Sequence, residues 1–180
     1  IKHFVSKDAL NIEGFGKKVV EKFWDLKFIK FPSSVFTLDY EKINKLEGWG
    51  EKSVSNLKNS IELSKNITLD KFIFSLGIRH IGQENAKLLA QYFLEKKNFL
   101  KLTKNFNYSL IANIDGIGET QIQSLKKFFK NIINNQEVKK LSDLMSVKSV
   151  NKDTSGKLKS YSFMFTGKLL NISRAEAKSL

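Results

Sequence analysis

Cysteine is absent from the 180 residues, proline occurs once, at Pro32, and glycine occurs only ten times. Without cysteine the chain can form neither disulfides nor thiolate metal sites. The scarcity of helix-breaking residues among mixed polar and apolar ones favours a mainly helical fold. No apolar run approaches the roughly 18 residues of a membrane-spanning helix, and no secretory signal is recognisable. We therefore expect no disulfide framework and no membrane span; in the interpretation reached below, the chain also has no membrane partner.

The chain is also poor in acidic residues, with 18 against 31 basic ones, which gives a net charge of +13. A surplus of this size favours a polyanionic partner, either nucleic acid or an anionic membrane surface. Part of the surplus has another explanation, because lysine outnumbers arginine 29 to 2 and Asn, Ile and Phe are plentiful, as an AT-rich genome would produce. Charge alone therefore favours nucleic acid only modestly.

Four glycine motifs recur along the chain, and their last glycines lie 34, 32 and 36 residues apart. The motifs are Glu13-Gly14-Phe15-Gly16, Glu47-Gly48-Trp49-Gly50, Arg79-His80-Ile81-Gly82 and Asp115-Gly116-Ile117-Gly118. Apolar residues at helical spacing flank each motif, as Val19, Val20 and Phe23 do after the first. Each repeat therefore predicts a short helix, a tight glycine turn and a longer helix.

The repeat has two plainer interpretations. Glycine commonly ends a helix, so a single motif of this kind needs no function. A helical scaffold of the tetratricopeptide type has a similar period of about 34 residues, but its Trp, Tyr and Pro markers do not recur here. Because four motifs lie at nearly equal spacing on a basic chain, we favour a binding role for them.

Turns of this kind suit phosphate binding. The first N–H groups of a helix have no partner within it, and the helix dipole adds positive charge there. Glycine before the helix permits positive φ in the turn and removes the Cβ that would hold a phosphate away, and the apolar residue between the glycines can anchor the turn. Such contacts position a duplex without reading its bases. The candidate phosphate-binding residues are Gly14, Gly16, Lys17, Lys18, Gly48, Gly50, Lys52, Arg79, His80, Gly82, Gly116 and Gly118.

The fourth turn differs from the others, because Asp115 and Glu119 flank it and no basic residue adjoins it. We therefore expect it to bind phosphate most weakly or to serve packing. Among the remaining residues, we expect Trp24 and Trp49 in the core and the lysines of 126–130 on a solvated helix face.

The pattern changes after about Met145. Residues 146–160 are rich in Ser, Lys, Asn and Asp without a helical stripe, so we predict a linker. Residues 161–166 alternate bulky and β-prone side chains, which predicts a strand. Ser173 and Glu176 have the spacing of a capping box, which predicts the start of a helix.

Three stretches resemble the bacterial NAD-dependent DNA ligases, in the order of that family. Residues 3–16 are similar to the sequence that follows the family's zinc finger. Residues 61–65 together with 76–82 (Leu-Gly-Ile-Arg-His-Ile-Gly) are similar to a second strong motif. Residues 165–169 and 173–177 resemble the start of the C-terminal BRCT domain. The resemblance covers essentially the whole chain.

The resemblance implies a mainly α fold with four tandem helix-hairpin-helix motifs over residues 1–145, the linker at 146–160, and the first strand and helix of a truncated α/β BRCT domain at 161–180. It implies that the hairpins embrace nicked duplex DNA, and that the BRCT domain contacts protein or DNA. The parent enzyme would seal nicks in replication and repair with NAD, Mg and Zn, none of them bound by this segment. A cytoplasmic, nucleoid-associated location follows. Because the sequence begins with Ile1 and ends at Leu180 within an apparent helix, we expect a piece of a longer protein.

Residues for enzyme chemistry are scarce. Two histidines, no cysteine and no carboxylate pair at metal-ligand spacing provide no catalytic or metal site, and no Walker-type phosphate loop occurs. Nucleotidyl transfer by a ligase needs a nucleophilic lysine in the pattern Lys-x-Asp-Gly. Asn113-Ile114-Asp115-Gly116 has asparagine at that position, so we expect this chain to be inactive by itself.

Two other functions are compatible with the repeat. One is a stand-alone helix-hairpin-helix module of a repair nuclease or junction-binding protein; such modules usually carry one or two hairpin pairs, and the BRCT-like residues 165–177 count against it. The other is a protein-interaction scaffold, which a DNA-binding assay would separate from the ligase interpretation.

Overall fold

A computed structural model describes residues 1–104 and 106–150, which belong to one compact unit. Helices dominate this part of the chain, so the prediction of a mainly helical fold is confirmed. The α-helices are α1 (Lys2–Val5), α2 (Lys17–Asp25), α3 (Tyr40–Asn44), α4 (Glu51–Ser64), α5 (Leu69–Ser75), α6 (Gln83–Phe93), α7 (Lys96–Phe99), α8 (Glu119–Lys130) and α9 (Ile132–Leu144). The strands are β1 (Asn66–Thr68) and β2 (Ser146–Lys148), and 3-10 helices cover Pro32–Thr37, Leu100–Thr103 and Tyr108–Ile111. None of the described helices combines the length and apolar character that a bilayer crossing requires.

Each glycine motif precedes one of the longer helices, α2, α4, α6 or α8. The elements before the motifs are less uniform than predicted. Helix α1 ends at Val5, and the following turns end at Asn11, whose φ of 47° lies in the left-handed region that asparagine tolerates. Before the fourth motif lies the 3-10 helix Tyr108–Ile111, which Asn107 caps by accepting from the Ser109 N–H at 3.1 Å.

The core is continuous through all four repeats, because every long helix buries one apolar stripe. Examples are Leu57 and Ile61 of α4 and Leu125 of α8, each at most 1% exposed. The expectation that Trp24 is a core residue is wrong, since its side chain is 53% exposed. Helix α2 buries Val20 and Phe23 instead, and the next residue points about 100° away around the helix.

The two strands join distant parts of the chain. β1 and β2 pair in parallel, with Asn66 opposite Ser146 and Thr68 opposite Lys148, and the Ser146 N–H donates to the Lys65 carbonyl at 2.8 Å. The linker predicted for 146–160 therefore begins with a strand, and the helical domain extends beyond 145. Ser146, Val147 and Lys148 form a strand because β1 provides an edge with which they pair. The local composition of the segment does not reveal this edge. Residues 151–160 of the predicted linker and the predicted BRCT start at 161–180 lie outside the described residues.

A buried carboxylate holds α9 against the 3-10 helix at Pro32–Thr37. Glu137 is 8% exposed, and its Oε2 accepts from the Ser33 N–H at 3.2 Å. The Lys140 ammonium lies 3.4 Å from Glu137 Oε1. The hydrogen bond between Ser33 and Glu137 joins residues 104 positions apart and fixes α9 to the early part of the domain.

Candidate nucleic-acid interface

All four motifs adopt the same turn. The middle apolar residue donates its N–H to the carbonyl three residues earlier, at 2.9 to 3.2 Å in each case. The residue before it has a positive φ: +77° at Gly14, +82° at Gly48, +61° at His80 and +86° at Gly116. Three of these four positions carry glycine, the residue with least cost in that conformation. The sequence repeat therefore corresponds to a repeat of backbone geometry.

The last glycine of each motif is the N-cap of the following helix and has ordinary extended torsions, with φ of −69°, −127°, −80° and −93°. We expected glycine to provide both a positive φ and free access to the amides. In the structure these two properties belong to two different residues of each turn. The first position needs positive φ, whereas Gly16, Gly50 and Gly82 do not. Nor does packing demand glycine at these three positions, because a Cβ added there would meet no atom within 4 Å. What glycine does provide there is close access to backbone amides.

The backbone amides at the start of α2, α4 and α6 are available as hydrogen-bond donors. Among the described residues, the N–H groups of the N-caps Gly16, Gly50 and Gly82 have no hydrogen-bond acceptor. The first N–H groups of an α-helix lack partners within the helix, and the dipole makes that end positive. The first three turns thus present open donors beside an open surface, which is the geometry of an anion site.

In the fourth turn, which we call closed, a side chain of α8 occupies the N-cap amide. Gln121 occupies the third position of α8, and its Oε1 accepts from the Gly118 N–H at 3.1 Å. Charge alone would not single out this turn, since Glu51 begins α4 as Glu119 begins α8. The acidic residues that flank the fourth turn, on which our prediction relied, therefore do not distinguish it, whereas Gln121 does. The capping-box pattern, with Glu or Gln at the third helical position, would have found it.

The apolar residue of each turn anchors it as expected. Phe15, Ile81 and Ile117 are at most 5% exposed. Trp49 is half-buried, and its ring lies 5.4 Å from that of Phe23. These anchors fix the backbone so that the N-terminus of the next helix faces outward.

The turns are associated in two pairs. In the first pair, Gly14 lies beside Leu57 of the second repeat, and the Lys22 ammonium of the first repeat donates to the Glu47 carbonyl at 3.1 Å. In the second pair, a Cβ at Gly116 would lie 2.8 Å from Leu88 Cδ1 of α6. Turns one and two, and turns three and four, therefore support each other across the repeat boundaries.

The predicted basic residues are all exposed near the open turns. Lys17 and Lys18 are the first two residues of α2, and Lys52 is the second residue of α4. Arg79 and His80 form part of the third turn itself. Within residues 1–104 and 106–150, none of these five basic residues forms a salt bridge.

Sequence reasoning also missed a residue that holds the third turn. The Asn85 side-chain amide donates to the His80 carbonyl at 3.3 Å. That contact steadies a non-glycine residue at positive φ, which costs about 1–2 kcal/mol. No pattern in the sequence signals it, because the bond depends on the turn conformation.

Part of the chain matches a known family of helical motifs. The family model described as helix-hairpin-helix motif matches residues 71–138. These residues contain the third and fourth turns, which the structure pairs. The chain therefore contains a helix-hairpin-helix region.

The chain as a whole is similar to part of bacterial DNA ligases. It is 57% identical over 181 aligned positions to the DNA ligase of Pelagibacter ubique, covering 100% of this chain and 27% of that protein. It is 43% identical to the DNA ligase of Wolbachia pipientis and 40% identical to that of Rickettsia bellii, covering 99% of this chain and 28% of each relative. The chain thus spans roughly a quarter of the length of these relatives. The resemblance to DNA ligases predicted from the sequence motifs is confirmed.

Proposed function

We propose that this chain binds duplex DNA through backbone phosphates, with little sequence preference, as the DNA-gripping part of an NAD-dependent DNA ligase. The observation that carries the proposal is the set of three N-cap glycines, Gly16, Gly50 and Gly82. Neither torsion nor packing requires glycine at these positions. A phosphate oxygen approaching the helix amides would require it.

In this proposal each of the first three turns holds one phosphate. Backbone N–H groups at the start of α2, α4 and α6 donate to phosphate oxygens, and the helix dipole favours the negative charge. Lys17, Lys18, Lys52 and Arg79 add charge around them. Such contacts fix the position of the duplex without distinguishing bases. Gly116 and Gly118 shape the fourth turn and contribute less, because Gln121 already occupies the Gly118 amide.

We infer the parent reaction from the similarity of the whole chain to about a quarter of the length of several DNA ligases. The parent would transfer AMP from NAD to its own lysine, pass AMP to the 5′-phosphate at a nick, and form the phosphodiester bond with release of AMP. This chain would hold the nicked duplex in place during those steps. The BRCT start that we predict at 161–180 would add a contact with protein or DNA, and the location would be the cytoplasm, at the nucleoid.

We assign the cofactor sites to the rest of the parent, because the residues of this chain do not fit them. A structural zinc site of the family type needs cysteines, and the sequence has none. In the part of the chain that the structure describes, no group of three or more His, Asp or Glu side chains is placed to hold a metal ion. The Lys-x-Asp-Gly pattern for NAD-dependent adenylation is missing its lysine at Asn113.

The test is a binding titration of the 180-residue chain with intact and nicked duplexes of several sequences. We expect binding to each duplex and a log–log salt slope of about −0.9 for every phosphate neutralised, which is about −2.7 for three turns. No binding at low salt would refute the proposal, and strong dependence on base sequence would refute phosphate recognition as its basis. The coding sequence upstream of Ile1 provides an independent check: a four-cysteine cluster and a Lys-x-Asp-Gly motif there would support the ligase assignment.

A further inference from the structure

An open depression separates the third turn from the side of α8. Arg79 and His80 lie on one side of it. The opposite side is formed by residues of the first turns of α8: Glu119, Thr120, Gln123, Ser124 and Lys127. Every lining residue is polar or charged, and all but Ser124 are exposed. The depression is thus a hydrophilic surface where two repeats meet, separate from the amide site of the third turn.

The donors in this depression outnumber its acceptors. Arg79 and Lys127 carry positive charge, Thr120 and Ser124 carry hydroxyl groups, and Glu119 is the one carboxylate among the lining residues. The Gln123 side-chain amide already donates to Glu119 Oε1 along the helix. Neither Arg79 nor Lys127 forms a salt bridge with any described residue. A surface with these groups suits an anion that accepts several hydrogen bonds.

His80 gives a second reason to assign a role to this surface. The equivalent residues of the other turns are glycine, and a non-glycine residue at φ +61° is strained. Neither the turn nor the core needs the imidazole, which is exposed and lines the depression. Lys27 and Leu94 have similar φ values, so the position of the imidazole at the depression, rather than its torsion alone, motivates a role for His80.

We propose that this depression is an additional DNA phosphate site, in which Arg79 and Lys127 flank one backbone phosphate and the Thr120 and Ser124 hydroxyls donate to its oxygens. His80 lies beside the same phosphate. The fourth repeat then contributes to DNA binding through the side chains of α8, although Gln121 closes its turn. This proposal rests on the proposed function, since it takes DNA as the ligand, and it adds Thr120, Ser124 and Lys127 to the binding residues.

The experiment measures the affinity of the full 180-residue chain for a duplex as salt is varied. Lys127→Gln is compared with Lys126→Gln, a matched change on the adjacent residue of α8. Lys126 lies outside the depression, and its ammonium is 5.9 Å from the centre of the Tyr108 ring. We expect Lys127→Gln to weaken binding about tenfold and to reduce the steepness of the salt slope by about 0.9. Lys126→Gln should change affinity less than threefold, because it removes only distant charge.

A mutant cycle tests whether the two cations contact one phosphate. Arg79→Gln with Lys127→Gln should weaken binding at least about threefold less than the product of the single effects, whereas Arg79→Gln with Lys126→Gln should equal the product within about twofold. Ser124→Ala should weaken binding about threefold or more without changing the salt slope, because it removes a donor and no charge. Thermal unfolding confirms that each variant is folded.

The results separate this proposal from the one on which it rests. If the unaltered chain binds DNA but Lys127→Gln and Lys126→Gln have equal effects and both double variants are multiplicative, the phosphate site in the depression is refuted and binding by the turns stands. If the unaltered chain does not bind DNA, both proposals fail.

Discussion

Replacing the three open N-cap glycines by alanine separates binding from folding. The φ values at Gly16, Gly50 and Gly82 are accessible to alanine, and the added Cβ meets no atom within 4 Å. Alanine is a poorer N-cap than glycine by about 0.5–1 kcal/mol. It also restricts the unfolded chain, which stabilises the fold by about 0.4–1 kcal/mol. The two effects nearly cancel at each site, so the triple variant should unfold within a few degrees of the parent.

DNA binding should respond very differently. A methyl group at the N-cap holds a phosphate oxygen away from the helix amides, and we expect a loss of about tenfold per turn, or about 1.4 kcal/mol. Because the three sites are separate, their effects should multiply to about a thousandfold in the triple variant. Affinity from a fluorescence titration at fixed salt, together with a thermal unfolding curve, measures both quantities.

The matched control is Gly118→Ala. Its φ of −93° is equally permissive, and the added Cβ lies 3.4 Å from Gln121 Oε1, an ordinary to slightly tight contact. Since that amide is already satisfied, we expect DNA affinity within about twofold of the parent. A folded triple variant that binds DNA as tightly as the parent would refute phosphate binding at the N-cap amides. An equal loss in Gly118→Ala would refute the distinction between open and closed turns.

Three further outcomes are expected. Glu137→Ala should destabilise the fold by about 1–3 kcal/mol, because the Ser33 N–H loses its acceptor; the exposed Glu84→Ala is the control in thermal unfolding, and equal melting temperatures would contradict the role of the buried contact. Gly48→Ala should cost about 1–2 kcal/mol through its positive φ alone, and Gly48→Asn should unfold at a higher temperature than Gly48→Ala because asparagine tolerates that conformation; the reverse order would show that torsion does not govern this position. Incubation of the chain with labelled NAD should leave no AMP on the protein, and a stoichiometric adenylate would show that the missing lysine pattern was misinterpreted.

The features that could be predicted from the sequence are those with a local cause. Glycine occupies the positive-φ position in three of the four turns and precedes the helix in all four, so the motif spacing predicts all four turns. The buried anchors Phe15, Ile81 and Ile117 followed from their position between turn residues. Helix periodicity likewise predicted α2, α4, α6 and α8.

The features that escaped prediction depend on distant neighbours or on side-chain direction. β2 becomes a strand only because β1 lies beside it, although almost 80 residues separate them. Trp24 and Phe23 are equally apolar in the sequence, and only the rotation of α2 against the core exposes one and buries the other. The place of Lys127 opposite Arg79 required the packing of the fourth repeat on the third.

The parallel pairing of β1 with β2 also affects the order in which the backbone amides become protected from hydrogen exchange as the chain folds. β1 is made before the third and fourth turns, yet its partner follows α9, so the pairing forms only after both of those repeats have left the ribosome. The Lys96 ammonium strengthens this late closure by binding the Ser142 carbonyl at 2.6 Å at the end of α9. We therefore expect the residues between β1 and β2 to become protected together once this pairing has formed. In native-state hydrogen exchange, the Ser146 amide, bonded to the Lys65 carbonyl, should exchange together with the slowest amides of α8 and α9.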